Sequence, residues 1–344
     1  MKCCVYSRFY YDTPYVEFFI EHYLNLGFDK IYLLHGDNVP YKLPDGFRNK
    51  VTIKRVKNLG NEQLPIHDHI VKDSGMDWVL CIDTDEFLML DNKFTNIKDY
   101  LTYTTTQNKK LTSIYFRWGV VEKYNNVECN DITDLINRHH LYSNHNIKTM
   151  AKVNVLSSIH HPHIVKTRGK SRILFEGDIL TKHNANIARD KKIKDTSYDE
   201  AFLLHLHTRS IKSLVIKCLS NNNSNSTNIT SSLQSKIIKR PDEFKQLLET
   251  HAGKDIQEVF KLFTSCIGVK ANIPFHHAKY ETIHKDYILD KYNMNLASTS
   301  IIDVEVETKL LDTVFKRFNM SLEHFIRLED RINEYILTNK YFNY

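Results

Sequence analysis

A chain of 344 residues, 42% hydrophobic and 26% charged, has enough apolar mass to bury a substantial core, which excludes small disulfide-held folds. Its 47 Lys and Arg against 41 Asp and Glu leave +6, an excess too mild to define a nucleic-acid binder, although it suits anionic substrates, nucleotides or a lipid surface. The six cysteines, Cys3, Cys4, Cys81, Cys129, Cys218 and Cys266, form no CxxC pair and no regular framework, which reads as reduced thiols in a cytosolic compartment. The first residues lack an apolar h-region and a small-residue cleavage site, and no later run is long and apolar enough to span a bilayer. A cytoplasmic protein without a transmembrane anchor is expected, with peripheral attachment to a membrane left open.

The first half alternates helical and strand patterns. Val16 to Leu26 repeats apolar residues at helical spacing and stops at Gly27; Lys30 to His35 then reads as a buried strand. Pro40 to Gly46 is a loop, Val51 to Val56 alternates like a strand, and Gln63 to Lys72 begins another helix. Asp77 to Asp83 (DWVLCID) is a short apolar strand that ends in acidic residues. Ser113 to Trp118 and Ala151 to Leu156 supply later strands, and Ala201 to Leu219 moves from an apolar run bearing histidines into a helix. Such alternation predicts an α/β mixed sheet covered by helices, with ligands beyond the carboxyl ends of the strands. Residues 220–235 are rich in Asn, Ser and Thr and read as a flexible linker. Beyond it, Pro241 to Thr250, Asp255 to Thr264, Glu305 to Phe318 and Ser321 to Thr338 carry helical patterns. The expected organisation is a catalytic domain over 1–219, the linker over 220–235 and a mainly helical accessory region over 236–344.

The strongest chemical signal is Trp78 to Leu88, WVLCIDTDEFL. A strand that delivers Asp83 and Asp85 into a turn can aim two carboxylates at one Mg²⁺ or Mn²⁺, with Glu86 supporting the surroundings. An ion there would neutralise the charge that grows on a leaving nucleoside diphosphate. DxD alone is weak, because paired aspartates are common in loops.

Its setting strengthens it. With this acidic segment, the stretch Glu17 to Leu34 (EFFIEHYLNLGFDKIYLL), in which Glu17, His22 and Gly27 fall at matching places, and the landmarks Gln63 and Trp78 resemble the GT-A glycosyltransferases related to families 2 and 92. The resemblance runs over roughly residues 1 to 215. It implies a GT-A, Rossmann-related mixed sheet and an inverting, metal-dependent transferase. Such an enzyme moves a sugar from a nucleotide-sugar, a UDP-sugar by this resemblance, to a glycan, glycoprotein or glycolipid acceptor. Asp83 and Asp85 would bind the metal and diphosphate. HLHTRS, followed by Lys217, resembles the family's late histidine segment, so His205 would complete the metal site or contact the diphosphate, with Arg209 on a donor phosphate. Leu206 replaces the usual aromatic residue there, and His207 competes for the role. Near the front, SRFYYDTP stands where relatives carry Asn-Glu, which puts the identity of the donor in question.

Asp37 in HGDN is a candidate for the nucleotide ribose, or for an Asx turn. Inversion needs a carboxylate base; Glu122 in WGVVE is the first choice and Asp178 in FEGD the second, each weighed against an ordinary surface acid. Lys148 and Lys152 face either a diphosphate or a basic exterior strand, the latter being slightly preferred. The groups His67, Asp68 and His69, His139 and His140, and His160, His161 and His163 offer a competing zinc hydrolase, but no HExxH spacing supports it. A glycoside hydrolase using paired acids competes as a further enzyme class, and a catalytically inactive saccharide-binding or protein-interaction scaffold competes as a protein without chemistry of its own.

Overall fold

The computed structural model describes residues 1–9, 12–36, 41–56, 63–122, 141–161, 163–175, 177–182, 200–208, 211–221, 241–266, 282–283 and 304–338. The chain divides into two compact units: one of residues 1–121, 129–207 and 280–302, the other of 122–128, 208–279 and 303–344. The expected linker lies outside the described residues from 222 onward.

The first unit is built on a mixed sheet. Strands β1 (Cys3–Phe9), β2 (Lys30–His35) and β3 (Val51–Arg55) run parallel, and β4 (Trp78–Asp83) lies parallel to β1 on its other side. KIYLLH and WVLCID are nearly continuous apolar runs because both faces of these strands are covered. Alternation along β1 divides the two sides. Cys3, Val5 and Phe9 join a core with helix α1 (Thr13–Asn25), whereas Cys4 and Tyr6 join one with Leu64 and Val71 of the short helices α2 (Gln63–His67) and α3 (His69–Lys72). Cys3, Cys4, Cys81 and Cys266 are buried and none of the four is in a disulfide.

Helix α1 starts with Pro14 in its first turn, where no amide partner is needed, and ends in a Schellman motif. The Gly27 amide donates to Leu24 O at 3.1 Å and the Phe28 amide to Tyr23 O at 3.1 Å, while the Phe28 and Tyr23 rings meet at 5.4 Å. Gly27 has φ +93°, and a Cβ there would sit 3.0 Å from Asn96 Cβ, so glycine serves both the turn and the close approach. Asn96 in turn caps helix α4 (Ile97–Gln107) by accepting from the amides of Lys98 and Asp99.

Thr84 and Asp85 turn the chain out of β4 into β5 (Glu86–Leu90), and β6 (Ser113–Glu122) follows α4. Strand β7 (Leu141–Lys152) lies antiparallel to both β4 and β6. A 3-10 turn at Val153–Val155 then separates it from β8 (Leu156–His161), which pairs with β9 (Ile164–Thr167) in a small second sheet. The single strand expected over 151–156 is therefore the end of one strand, a turn and the start of another. Strands β10 (Ile173–Phe175) and β11 (Asp178–Leu180) close one side of the main sheet, whose order is β11-β10-β6-β7-β4-β1-β2-β3. Strand β12 (Ala201–Thr208) pairs with β5 and β6, and β13 (Thr282–Ile283) with β7.

The second unit is helical: α5 (Ile211–Asn221), α6 (Pro241–Thr250), α7 (Ile256–Cys266), α8 (Val304–Arg317) and α9 (Leu322–Thr338). Buried residues recur at helical spacing, as Phe244, Leu247 and Leu248 on α6 and Phe325, Leu328 and Ile332 on α9. Lys212 of α5 pairs with buried Glu329 of α9 at 3.4 Å, and Arg331 donates to the carbonyls of His251 and Lys254. No described helix is long and apolar enough to cross a membrane.

Candidate metal centre

Strand β4 carries Asp83 to the carboxyl end of the parallel strands, and the turn that follows is fixed from both sides. The Thr84 hydroxyl donates to Asp12 Oδ2 at 2.9 Å, tying the turn to the start of α1. The amide of Asp83 donates to Glu86 Oε2 at 2.9 Å, closing the turn with the side chain of the first β5 residue.

Helix α1 holds β5 on the other side. Tyr23 Oη donates to Glu86 O at 2.9 Å and accepts from the Leu88 amide at 2.9 Å, while His22 Nε2 lies 3.0 Å from Leu88 O. The rings of Phe18, Phe19 and His22 pack around Phe87. His22, one of the residues that carry the family resemblance, thus works as a buried partner for a strand backbone.

The antiparallel register of β5 and β12 sets Glu86 opposite His205, and the Leu206 amide donates to Asp85 O at 2.8 Å. His205 Nε2 comes to 3.6 Å from Asp85 Oδ1, and its ring packs on Trp118 at 4.2 Å. Asp85, Glu86 and His205 each offer a ligand atom within 4.8 Å of the others, the one such group of three or more among the described residues. Two carboxylates and an imidazole that already converge fit a divalent cation such as Mg²⁺ or Mn²⁺.

Asp83 is differently engaged. Lys148 of β7 has its Nζ 2.5 Å from Asp83 Oδ2 and 3.1 Å from Glu86 Oε1, and Arg8 Nε lies 3.4 Å from Asp83 Oδ1. Lys148 and Glu86 are both 0% exposed, which corrects the preference for Lys148 on an exterior strand. Burial works against ionisation of Asp83, but Lys148 and Arg8 outweigh it and hold its carboxyl well below the usual range. Burial pushes Glu86 up, and the Asp83 and Asp85 charges add to that despite Lys148. For Lys148 itself, burial is overcome by the two carboxylates and its pKa rises.

The sequence points to Asp83, Asp85 and His205 as the metal set, with Glu86 in support. The structure gathers Asp85 and His205 with Glu86, and sets Asp83 against two cations. The signal for that exchange is Lys148, a lysine between Ile147 and Thr149 in a strand pattern, whose partner cannot be read from spacing. Lys152, by contrast, lies partly exposed with its ammonium 5.4 Å from the Trp78 ring centre.

Asp178 is an exposed residue on β11, four strand positions from β4, or about 19 Å at the usual strand spacing. It follows Gly177, which lines a cavity of about 230 Å³ with Tyr100, Tyr115, Arg117 and Glu200; none of the acids of the turn lines it. The sheet therefore does not bring Asp178 to the acidic turn. Asp37 and Arg209 lie outside the described residues, as do the side chains of Glu122 and His207.

Among the described residues of the competing hydrolase groups, Asp68, His69, His161 and His163 make structural contacts. Asp68 accepts from the Ile159 amide at 3.1 Å and pairs with Lys72 at 2.8 Å, and His69 Nδ1 lies 3.1 Å from Ile66 O. His163 Nδ1 lies 2.6 Å from Ile147 O, and its ring stacks on His161 at 4.7 Å. Burial, with help from Lys148 and His161, pushes the His163 pKa down to about 3. His139 and His140 lie outside the described residues.

A GT-A-like mixed sheet with an acidic, metal-ready turn at its carboxyl end defines a glycosyltransferase-type domain. The family model for glycosyltransferase family 92 matches residues 57–260, more than half of the chain, and the chain belongs to that family. The match begins after β3, so the stretch Glu17 to Leu34 precedes it. No curated protein gives a significant match. Among solved structures, the chain is similar to CMP:2-keto-3-deoxy-manno-octonic acid synthetase complexed with CTP, at 13% identity and a TM-score of 0.25, over 45% of this chain and 76% of that one. That likeness is too slight to bear on function.

Proposed function

We propose that the first unit is an inverting, divalent-metal-dependent glycosyltransferase that moves a sugar from a nucleoside diphosphate to an acceptor hydroxyl. The observation that carries this reading is the convergence of Asp85, Glu86 and His205 at the carboxyl end of β4 in a family 92 chain. Asp85 and His205 would hold the ion, and Glu86 would complete the set. A bound ion there supplies positive charge against the departing diphosphate. The protein's own part is positional: Thr84 and Tyr23 fix the turn, and Trp118 fixes the His205 ring.

Asp83 contributes through its ion pairs with Arg8 and Lys148, which shape the floor of the turn. We carry Glu122 as the acceptor base on its place in the WGVVE segment, with Asp178 behind it because of its position in the sheet. Asp37 is the candidate for the ribose and Arg209 for a donor phosphate. The donor is read as a UDP-sugar and the acceptor as a glycan, glycoprotein or glycolipid.

The test is binding and slow hydrolysis of a panel of nucleotide sugars with Mn²⁺, Mg²⁺ or chelator, on the unmodified protein and on Asp85→Ala. One nucleotide sugar should be selected, only with metal, and lost in the variant. Absence of donor binding under every condition would instead leave a saccharide-binding or protein-interaction scaffold.

A further inference from the structure

Lys148 is a fully buried lysine whose ammonium touches two of the three acids around the turn. Such a burial is sustained only by compensating charge and hydrogen bonds. Asp83 is served twice, by Lys148 on Oδ2 and by Arg8 on Oδ1. Glu86 is shared: Oε2 accepts from the Asp83 amide, while Oε1 faces Lys148 at 3.1 Å and also belongs to the residue that meets Asp85 and His205. A cation entering between Asp85 and His205 would therefore draw on a carboxylate already engaged by a protein ammonium. Counted together, Asp83, Asp85 and Glu86 bring three negative charges when ionised, and Lys148 and Arg8 return two positive ones. The two protein cations thus offset most of the negative charge that the acids would otherwise present to a divalent ion.

We infer that Lys148 is a resident counter-cation of the acidic turn, a positioning residue that holds Asp83 and Glu86 and keeps ion affinity low until the donor's diphosphate arrives. The inference rests on the metal-dependent transferase reading above and adds an order of assembly to it. With the protein's own acids largely neutralised, the remaining attraction for the ion comes from the phosphates, so ion and donor enter as a unit.

The experiment titrates Mn²⁺ alone into the full chain and follows free ion by electron paramagnetic resonance. The proteins are the unmodified chain, Lys148→Met, Arg8→Gln and Asp85→Ala, each checked for folding by circular dichroism. Removing the buried ammonium should tighten Mn²⁺ by about tenfold or more, because one unit charge within a few ångströms is lost. Arg8→Gln, at a partly exposed and more distant cation, should shift affinity in the same direction by less. Asp85→Ala should lose the ion. A folded Lys148→Met with unchanged or weaker affinity overturns the inference. Should that variant fail to fold, unchanged or weaker affinity in Arg8→Gln overturns it equally. Retention of the ion by Asp85→Ala overturns the metal reading itself, and this inference with it.

Discussion

His22 sits within the core of the first unit with its Nε2 3.0 Å from Leu88 O, and burial pushes its pKa down to about 4 although that carbonyl favours the charged form. An imidazole in the unfolded chain titrates near 6.5. Below that pH the unfolded state takes up a proton that the folded state refuses, so stability falls as the pH drops from about 6.5 to about 4. A shift of this size is worth about 3 kcal/mol over that window. Urea unfolding at steps between pH 7 and pH 4.5 should show a flatter acid slope in His22→Gln, whose amide retains a donor near the Nε2 position; an unchanged slope would assign the loss to other groups. His22 can be read from its spacing after Glu17, but its role cannot. A histidine facing a strand carbonyl and a histidine facing a metal have the same one-letter pattern, and only the packing of α1 on β5 separates them. Lys148 presents the converse case: its charge suggests the surface, and the partners that make burial tolerable are 62 and 65 residues away.

At the scale of elements, the decisive one is β5. It pairs with β12 along one edge, and side chains of α1 cover backbone groups of Glu86 and Leu88 that a further strand would otherwise seek. Tyr23→Phe leaves Glu86 O and the Leu88 amide without that hydroxyl, a loss of about 1–3 kcal/mol. Amide exchange should localise the effect, with Leu88 losing protection while the amides of β1 and β2 keep theirs; uniform loss would mean that Tyr23 matters only for packing. Strands buried on both faces are legible as apolar runs, and KIYLLH has the bounds that its pattern predicts. Strand β5 is not legible in this way, because EFLML follows β4 after two residues and reads as the tail of the acidic motif. Helix α4 escapes the pattern for another reason: IKDYLTYTTTQ is rich in threonine, and its start depends on the Asn96 cap rather than on a strong apolar stripe. The four C-terminal helices are legible within about two residues at their ends, since nothing but their amphipathic period is needed to define them.

For the whole molecule, the proposed centre makes stability depend on ion concentration. A ligand that binds only the folded state stabilises it by about 2.7 kcal/mol at a hundredfold excess over its dissociation constant. Thermal unfolding should therefore move up with Mn²⁺ at saturating levels and return with chelator, while Asp85→Ala should show neither change. An equal shift in Asp85→Ala would place the stabilising ion elsewhere. The β5–β12 pairing has a further consequence for synthesis. Glu86 meets His205 across more than a hundred residues of chain, so a nascent polypeptide carries the acids of the turn long before the strand that completes the site emerges. Any fragment that stops short of Ala201 leaves Phe87 to Leu90 without the partner strand, an apolar edge open to other chains. Expression of the acidic motif on shortened pieces should yield aggregates, and solubility should return only when the piece extends through Thr208.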